Sequence, residues 1–193
     1  MRGFLIGGLA VVLLAGGCYR TGRPFAPATF DREPGWVSVV SVPAIRQQGT
    51  RDCGDAVAAM LLRYWGMPGS EAVVRAASGV PPERGLSADF LRRYLRSLGL
   101  EAYLFEGNLH DLERELVHGR PVMVGILKKF SNQVFAHYQV VVGIHRAKQE
   151  VVVIDPAEGW SVYSFDAFLR QWKPTHYLTM VVFRVVAPLE ITD

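Results

Sequence analysis

Three apolar, β-branched runs stand close together in the second half of this chain, and they most narrow what it can fold into. Pro121-Val122-Met123-Val124-Gly125-Ile126-Leu127, Tyr138-Gln139-Val140-Val141-Val142-Gly143-Ile144 and Val151-Val152-Val153-Ile154-Asp155-Pro156 have the length and composition of buried strands. The connection at 145–150 is hairpin-sized, so the last two runs are expected to lie antiparallel. The first half has a different texture. Asp52 is placed to cap a helix over roughly 53–65 that Gly66 stops, and Ser70 to Ala77 suits a second helix. Ser87 opens a third, Ala88 to Leu98, ended by Gly99. Trp36 to Val42 alternates as a short strand closed by Pro43, and Ala102 to Phe105 reads as another. Leu109 to His118 is a helix with Leu109, Leu112 and Leu116 on one face; Phe165 to Trp172 is a helix and Thr179 to Val186 a last strand. Helices first and mostly antiparallel strands afterwards predict an α+β fold, an N-terminal helical half packed on an antiparallel sheet half. At 193 residues the chain is long enough for one domain with its own core.

The first residues read as an export signal and not as part of that core. Arg2 precedes an apolar stretch from Phe4 to Leu14, shorter than a comfortable bilayer span, followed by Ala15-Gly16-Gly17-Cys18. Small residues directly before a cysteine resemble the lipobox of bacterial lipoproteins, with Ala15 where that motif usually has Leu. The resemblance implies that residues 1–17 are removed and that Cys18 carries lipid. Residues 18–35, with Pro24, Pro27 and Pro34, read as a tether, leaving 36–193 as the folded domain. The chain has only two cysteines, so lipidation of Cys18 leaves Cys53 as a free thiol. The net charge of +3 is scattered, which argues against a nucleic-acid surface. No Cys or His pair has ligand spacing, so neither a metal nor another cofactor is expected.

That free thiol sits in Gln47-Gln48-Gly49-Thr50-Arg51-Asp52-Cys53-Gly54-Asp55-Ala56, directly ahead of the apolar helical run. A helix N-terminus carries partial positive charge and unpaired N–H groups, which favour a thiolate there. Gly54 and Ala56 leave room for a substrate backbone. Gln47 can place an amide donor near the sulfur, with Gln48 as its rival. Among the five histidines, His110 and His118 fall on a polar helix face, His145 at a strand end beside Arg146, and His176 in a loop after Pro174. His137 opens an apolar strand, and one hairpin later the next strand ends in Asp155. Side by side, Asp155 would hold one imidazole nitrogen and leave the other for Cys53.

These residues reach a family. Gln-x5-Cys within Asp52-Cys53-Gly54-x-Ala56, then Leu62-x-Tyr64-Trp65-Gly66, resembles the papain-like peptidase domains that process bacteriocin leaders. Gly85-Leu86-Ser87, Gly119-Arg120-Pro121-Val122, His137-Tyr138 and Ile154-Asp155-Pro156 are similar to that family too, and the likeness covers roughly 36–186. The resemblance implies a papain-like fold with Cys53 as nucleophile, His137 as base, Asp155 as orienter and Gln47 in the oxyanion hole. In that family the domain often precedes an exporter's membrane and ATPase parts and cuts after a double glycine; this sequence shows no Walker motif and no transmembrane bundle.

The expected activity is that of a cysteine peptidase acting on an exported peptide or protein, with a dedicated export system as one source of substrate. The expected place is the bacterial cell envelope, where a monomer anchored through Cys18 faces the periplasm or exterior. Transglutaminase-like acyl transfer uses the same order of Cys, His and Asp, and Gln47 favours the papain-like version. The alternative from another class is a non-catalytic, lipid-anchored binding or assembly factor on the same fold, supporting export or surface assembly.

Overall fold

The computed structural model describes residues 22–130 and 133–185. The signal stretch 1–17 and Cys18 lie outside the described residues. The described chain is α+β, as expected, with helices ahead of the main strands.

Its frame is one sheet in the order β1 (Arg23–Pro24), β7 (Gly159–Ser164), β6 (Glu150–Asp155), β5 (Gln133–His145), β4 (Val122–Phe130), β8 (Leu178–Phe183) and β3 (Glu101–Glu106), with β2 (Val37–Ser38) also paired to β5. The central strands are β4 (Val122–Phe130), β5 (Gln133–His145) and β6 (Glu150–Asp155), all antiparallel. Residues 121–126, 139–145 and 151–155 are buried without interruption, so both faces of the sheet centre are covered there. That explains their near-continuous valine content where a half-solvated strand would alternate.

Both β4 and β5 run longer than their apolar cores. Lys128, Lys129, Gln133 and Val134 pair across the β4–β5 ribbon although they are not core residues, because pairing two strands to each other needs no buried face. His137 consequently sits in the middle of a strand and not at its start, opposite Ile126. β2 (Val37–Ser38) is shorter than the expected 36–42 strand. It pairs with Gly143 and Ile144, and one more bond joins the Val39 N–H to the Val142 carbonyl (2.8 Å). Beyond that point the edge of β5 is already occupied by Val122 of β4. Two further strands complete the sheet: β3 (Glu101–Glu106) and β8 (Leu178–Phe183) match their expected positions, whereas β7 (Gly159–Ser164) was not anticipated.

The segment expected to be a tether folds onto the sheet from Arg23 onward. β1 (Arg23–Pro24) pairs with β7, and α1 (Thr29–Arg32) follows. Phe25, Phe30 and Trp36 form a cluster with ring centroids 4.8–5.5 Å apart, and Phe30 also meets Trp160 at 6.2 Å. Three prolines made this segment look extended, but its aromatic rings bury themselves against Gly143, where a side chain would collide with the Phe30 ring.

The helical half is centred on α2 (Cys53–Tyr64), buried from Cys53 through Leu62, which is why this helix is apolar around its whole circumference. Its C-terminal end is pinned to the sheet by two polar tips. Tyr64 Oη donates to the Gly119 carbonyl, and Trp65 Nε1 donates to the Val182 carbonyl at 3.1 Å. α4 (Ala88–Ser97) is capped by Ser87, as its sequence predicts, and α3 (Glu71–Ser78) starts one residue later than expected because Ser70 caps it from outside. α5 (Leu109–Val117) starts with a capping box between Asn108 and Asp111, and α6 (Phe165–Trp172) is capped by Ser164. Among the described residues no helix is long and apolar enough to cross a membrane.

Candidate active site

Cys53 is the first residue of α2, so its backbone N–H has no partner within the helix. Its side chain is buried, 6% exposed, which places the sulfur at the floor of the site. The loop in front of it is held by charge. Asp52 precedes the helix but does not cap it with its side chain. Instead its carboxylate accepts from the Gly49 N–H (2.7 Å) and from Arg75 Nη2 (3.0 Å). The same Arg75 nitrogen donates to Asp55, and Nη1 donates to the Arg84 carbonyl at 2.9 Å. Burial pushes the Asp55 carboxyl upward, and Arg75 opposes that shift. One guanidinium from α3 thus ties together the approach to Cys53, the first turn of α2 and the 81–84 loop.

Gly54 and Ala56 do not face a substrate. Both are buried, and a side-chain carbon on Gly54 would meet Leu86 at 3.1 Å and Tyr138 at 3.6 Å. Their small size lets α2 pack tightly against the 86–91 segment and β5. Burial, followed by the charge at Cys53, raises the Tyr138 hydroxyl to about 12.

The sheet delivers the other residues on one face. His137 and Gln139 are two apart on β5, and Asp155 ends β6 beyond the Val140–Ile154 pair. Ile126 faces His137 across β4, so Lys128, two residues on, projects from the same face. His137 Nε2 bonds Asp155 Oδ1 at 2.8 Å, and both side chains are buried. With Nε2 engaged, Nδ1 is the nitrogen left for Cys53, whose side chain interacts with His137. Burial by itself favours neutral imidazole. The hydrogen bonds to Asp155 and Cys53, with the charges of both, outweigh it and raise His137 to about 9.

Asp155 is fully buried and collects donors on both oxygens. Besides His137, Oδ1 accepts from the backbone N–H of Ala157 (2.7 Å) and Glu158 (3.2 Å). Oδ2 accepts from Gln139 Nε2 and Lys128 Nζ, each at 2.7 Å. Burial would raise this carboxyl, but His137 and Lys128 together hold it far below the usual carboxylate range. Lys128, Gln139 and Glu158 were not singled out from sequence.

Gln47 lies beside this turn, its backbone N–H donating to the Pro156 carbonyl at 3.0 Å. Its side-chain Nε2 donates one hydrogen to the Gly49 carbonyl at 2.7 Å, leaving the second for a ligand. The rival Gln48 is turned to Glu71. A cavity of about 320 Å³ opens next to Gln47 between the 46–50 loop and Pro156-Ala157. Two of the other histidines serve the scaffold. His118 Nδ1 donates to the Arg114 carbonyl (2.7 Å), and His145 Nε2 to the Pro34 carbonyl (3.1 Å). The assembled site therefore holds a buried thiol on a helix N-terminus and an imidazole between it and a carboxylate, while Gln47 stands beside the turn that follows Asp155, with its amide turned to its own loop. That set can carry out thiol-mediated acyl transfer.

Comparison with known proteins points the same way. The sequence profile described as "Peptidase C39 family" matches residues 41–181. The chain is 28% identical over 128 residues to the lactococcin-G-processing and transport ATP-binding protein LagD of Lactococcus lactis subsp. lactis, an alignment covering 66% of this chain and 17% of that protein. It thus spans about a sixth of the length of that relative. The solved structures that share its fold include the following two. The double glycine motif protease of an AMS/PCAT transporter, crystallised with the leader peptide, matches at TM-score 0.62 and 23% identity, covering 77% of this chain and 94% of that one. The peptidase domain of Streptococcus ComA, a bifunctional ABC transporter of a quorum-sensing pathway, matches at TM-score 0.61 and 24% identity, covering 73% and 97%.

Proposed function

The chain belongs to the peptidase C39 family and is a cysteine peptidase, and from that premise we propose that Cys53, His137 and Asp155 carry out its chemistry. The observation that carries this reading is the position of His137, bonded to Asp155 through Nε2 and interacting with Cys53. The Cys53 thiolate attacks the substrate carbonyl carbon, and the C=O π electrons are displaced onto oxygen. The Cys53 N–H and the free hydrogen of Gln47 Nε2 hold that oxyanion. Loss of one such donor typically costs about 10²–10³ in turnover. His137 then gives its Nδ1 proton to the leaving amine as the C–N bond breaks, leaving a thioester on Cys53. Neutral His137 next takes a proton from water, whose oxygen attacks the thioester. Cleavage of the C–S bond releases the acid and restores the thiolate beside the imidazolium.

The substrate in this reading is an exported peptide or protein. Support comes from the export-signal pattern of residues 1–17 and from relatives whose names join processing to transport. The site of action is the cell envelope, with Cys18 as the lipid-bearing residue. The test is a comparison of wild type with Cys53→Ala on exported proteins of the same cell, together with alkylation by iodoacetamide at mildly acidic pH. Cleavage lost in Cys53→Ala, and rapid alkylation of Cys53 that His137→Ala slows, are the expected results. Hydrolysis retained by Cys53→Ala overturns the assignment.

A further inference from the structure

β4 carries a lysine into the site that the acyl-transfer scheme leaves unused. Lys128 Nζ lies 2.7 Å from Asp155 Oδ2 and 2.7 Å from Glu158 Oε1, and its side chain is only 14% exposed. An ammonium rarely enters such a place unless it is paired. The two oxygens of Asp155 divide their partners. Oδ2 takes Lys128 and Gln139, which fixes the carboxylate plane and turns Oδ1 to His137.

The reaction makes the reason for a second cation concrete. Before acylation the buried Asp155 charge is balanced by imidazolium on one side and ammonium on the other. Once His137 has passed its proton to the leaving amine, only Lys128 remains to balance it. Without Lys128, a fully buried carboxylate would hold the imidazolium proton more tightly, making His137 a poorer acid at the step where an amide needs one.

We propose that Lys128 is a positioning residue of this peptidase, which fixes and neutralises Asp155 so that His137 can give up its proton to the leaving amine. This inference rests on the assignment of His137 and Asp155 given above. Among the described residues, the groups facing that pair are Cys53 on α2, Lys128 on β4, Gln139 on β5, Glu158 in the turn after β6, and Tyr163 on β7, 3.3 Å from Gln139 Nε2, with Tyr138 of β5 reaching Cys53 alone. Lys128 is the one cation among them besides His137 itself.

The test uses the full chain with Lys128→Met, Lys128→Arg and Glu158→Gln. For a peptide substrate, Lys128→Met is expected to lower kcat/KM by about tenfold, a part of the 10²–10⁴ that general acid–base catalysis supplies. For an activated ester of the same acyl group, whose leaving group needs no proton, the loss is expected to be at most about twofold. The alkaline limb of the pH profile should move up by roughly half a unit in Lys128→Met. It should move down in Glu158→Gln, where more of the ammonium charge acts on Asp155. Lys128→Arg should restore most of the peptide rate. A merely structural lysine would depress peptide and ester hydrolysis equally and shift neither limb, and that result overturns the inference. If Lys128→Met misfolds, the opposite shift in Glu158→Gln and the behaviour of Lys128→Arg still decide. If Cys53→Ala retains hydrolysis, the site assignment itself has failed. Cys53-dependent hydrolysis unmoved by these three substitutions overturns the role of Lys128 alone.

Discussion

His137 and Asp155 meet at 2.8 Å between the middle of β5 and the end of β6, and neither opens appreciably to solvent. The carboxylate holds the ring in place and supports its charge without itself transferring a proton. Asp155→Asn should therefore fold and retain weak activity, with kcat down by about 10²–10⁴. Steady-state kinetics on a peptide substrate checks this, and undiminished turnover would remove Asp155 from the site.

The His137 shift has consequences for both rate and stability. Its value rises from 6.5 to about 9, so the imidazolium persists well into the alkaline range and the alkaline limb of activity is expected near pH 9. A raised value means that the charged ring stabilises the fold fully below pH 6.5, with the contribution lost as pH climbs through about 9. Melting curves should accordingly show the widest gap between wild type and His137→Gln below pH 6.5 and a narrow one above 9. A gap that widens with pH would reverse the sign of this argument.

Arg75→Met should be among the more damaging substitutions outside the reacting groups. It leaves Asp55, which is 1% exposed, without its cation, and frees the loop ahead of Cys53. Breaking a buried pair from one side costs about 3–5 kcal/mol. Urea denaturation should show a loss of that size, and a change under about 1 kcal/mol would mean that Asp55 is neutral or hydrated.

Phe30→Ala should destabilise the domain by about 2 kcal/mol, less than the 3–5 kcal/mol of a fully buried ring because Phe30 is half-buried. A free tether would show no change in thermal melting.

Cys18→Ser tests the envelope reading. Wild type is expected to sediment with membranes and resist a salt wash, since several acyl chains hold by hydrophobic burial and not by charge. The variant should accumulate as precursor or soluble protein while keeping Cys53 reactivity. An unmodified N-terminus by intact mass would end the lipoprotein reading and leave the peptidase untouched.

Much of the site could be read from sequence because each member announces itself locally. Cys53 stands where polar loop turns into apolar helix, and Asp155 terminates a run of valines before Pro156. Lys128 and Gln139 gave no such sign. Their partner is set by the register of β4, β5 and β6, and a lysine beside Lys129 looks like any solvated pair. β7 alternates Trp160 and Val162 with Ser161 and Tyr163, but the neighbouring turn and helix signals dominated that stretch. The aromatic anchors Phe25 and Phe30 were hidden among prolines for a similar reason: composition described the backbone's habits and missed what the rings could reach.

The two-faced burial of the central strands leaves a problem of alignment. Val140-Val141-Val142 and Val151-Val152-Val153 present nearly the same surface above and below the sheet. A chain that slid by one residue while folding would bury valine against valine and lose little on either side, although each side chain would have changed faces. The slide would, however, strand a lysine, a glutamine, a histidine and an aspartate in dry surroundings without their partners, at a cost far above that of mismatched methyl groups. The polar cluster to which we assign the chemistry would also be the key that locks the sheet in step, so that a change at any of the same four side chains would touch both catalysis and strand pairing.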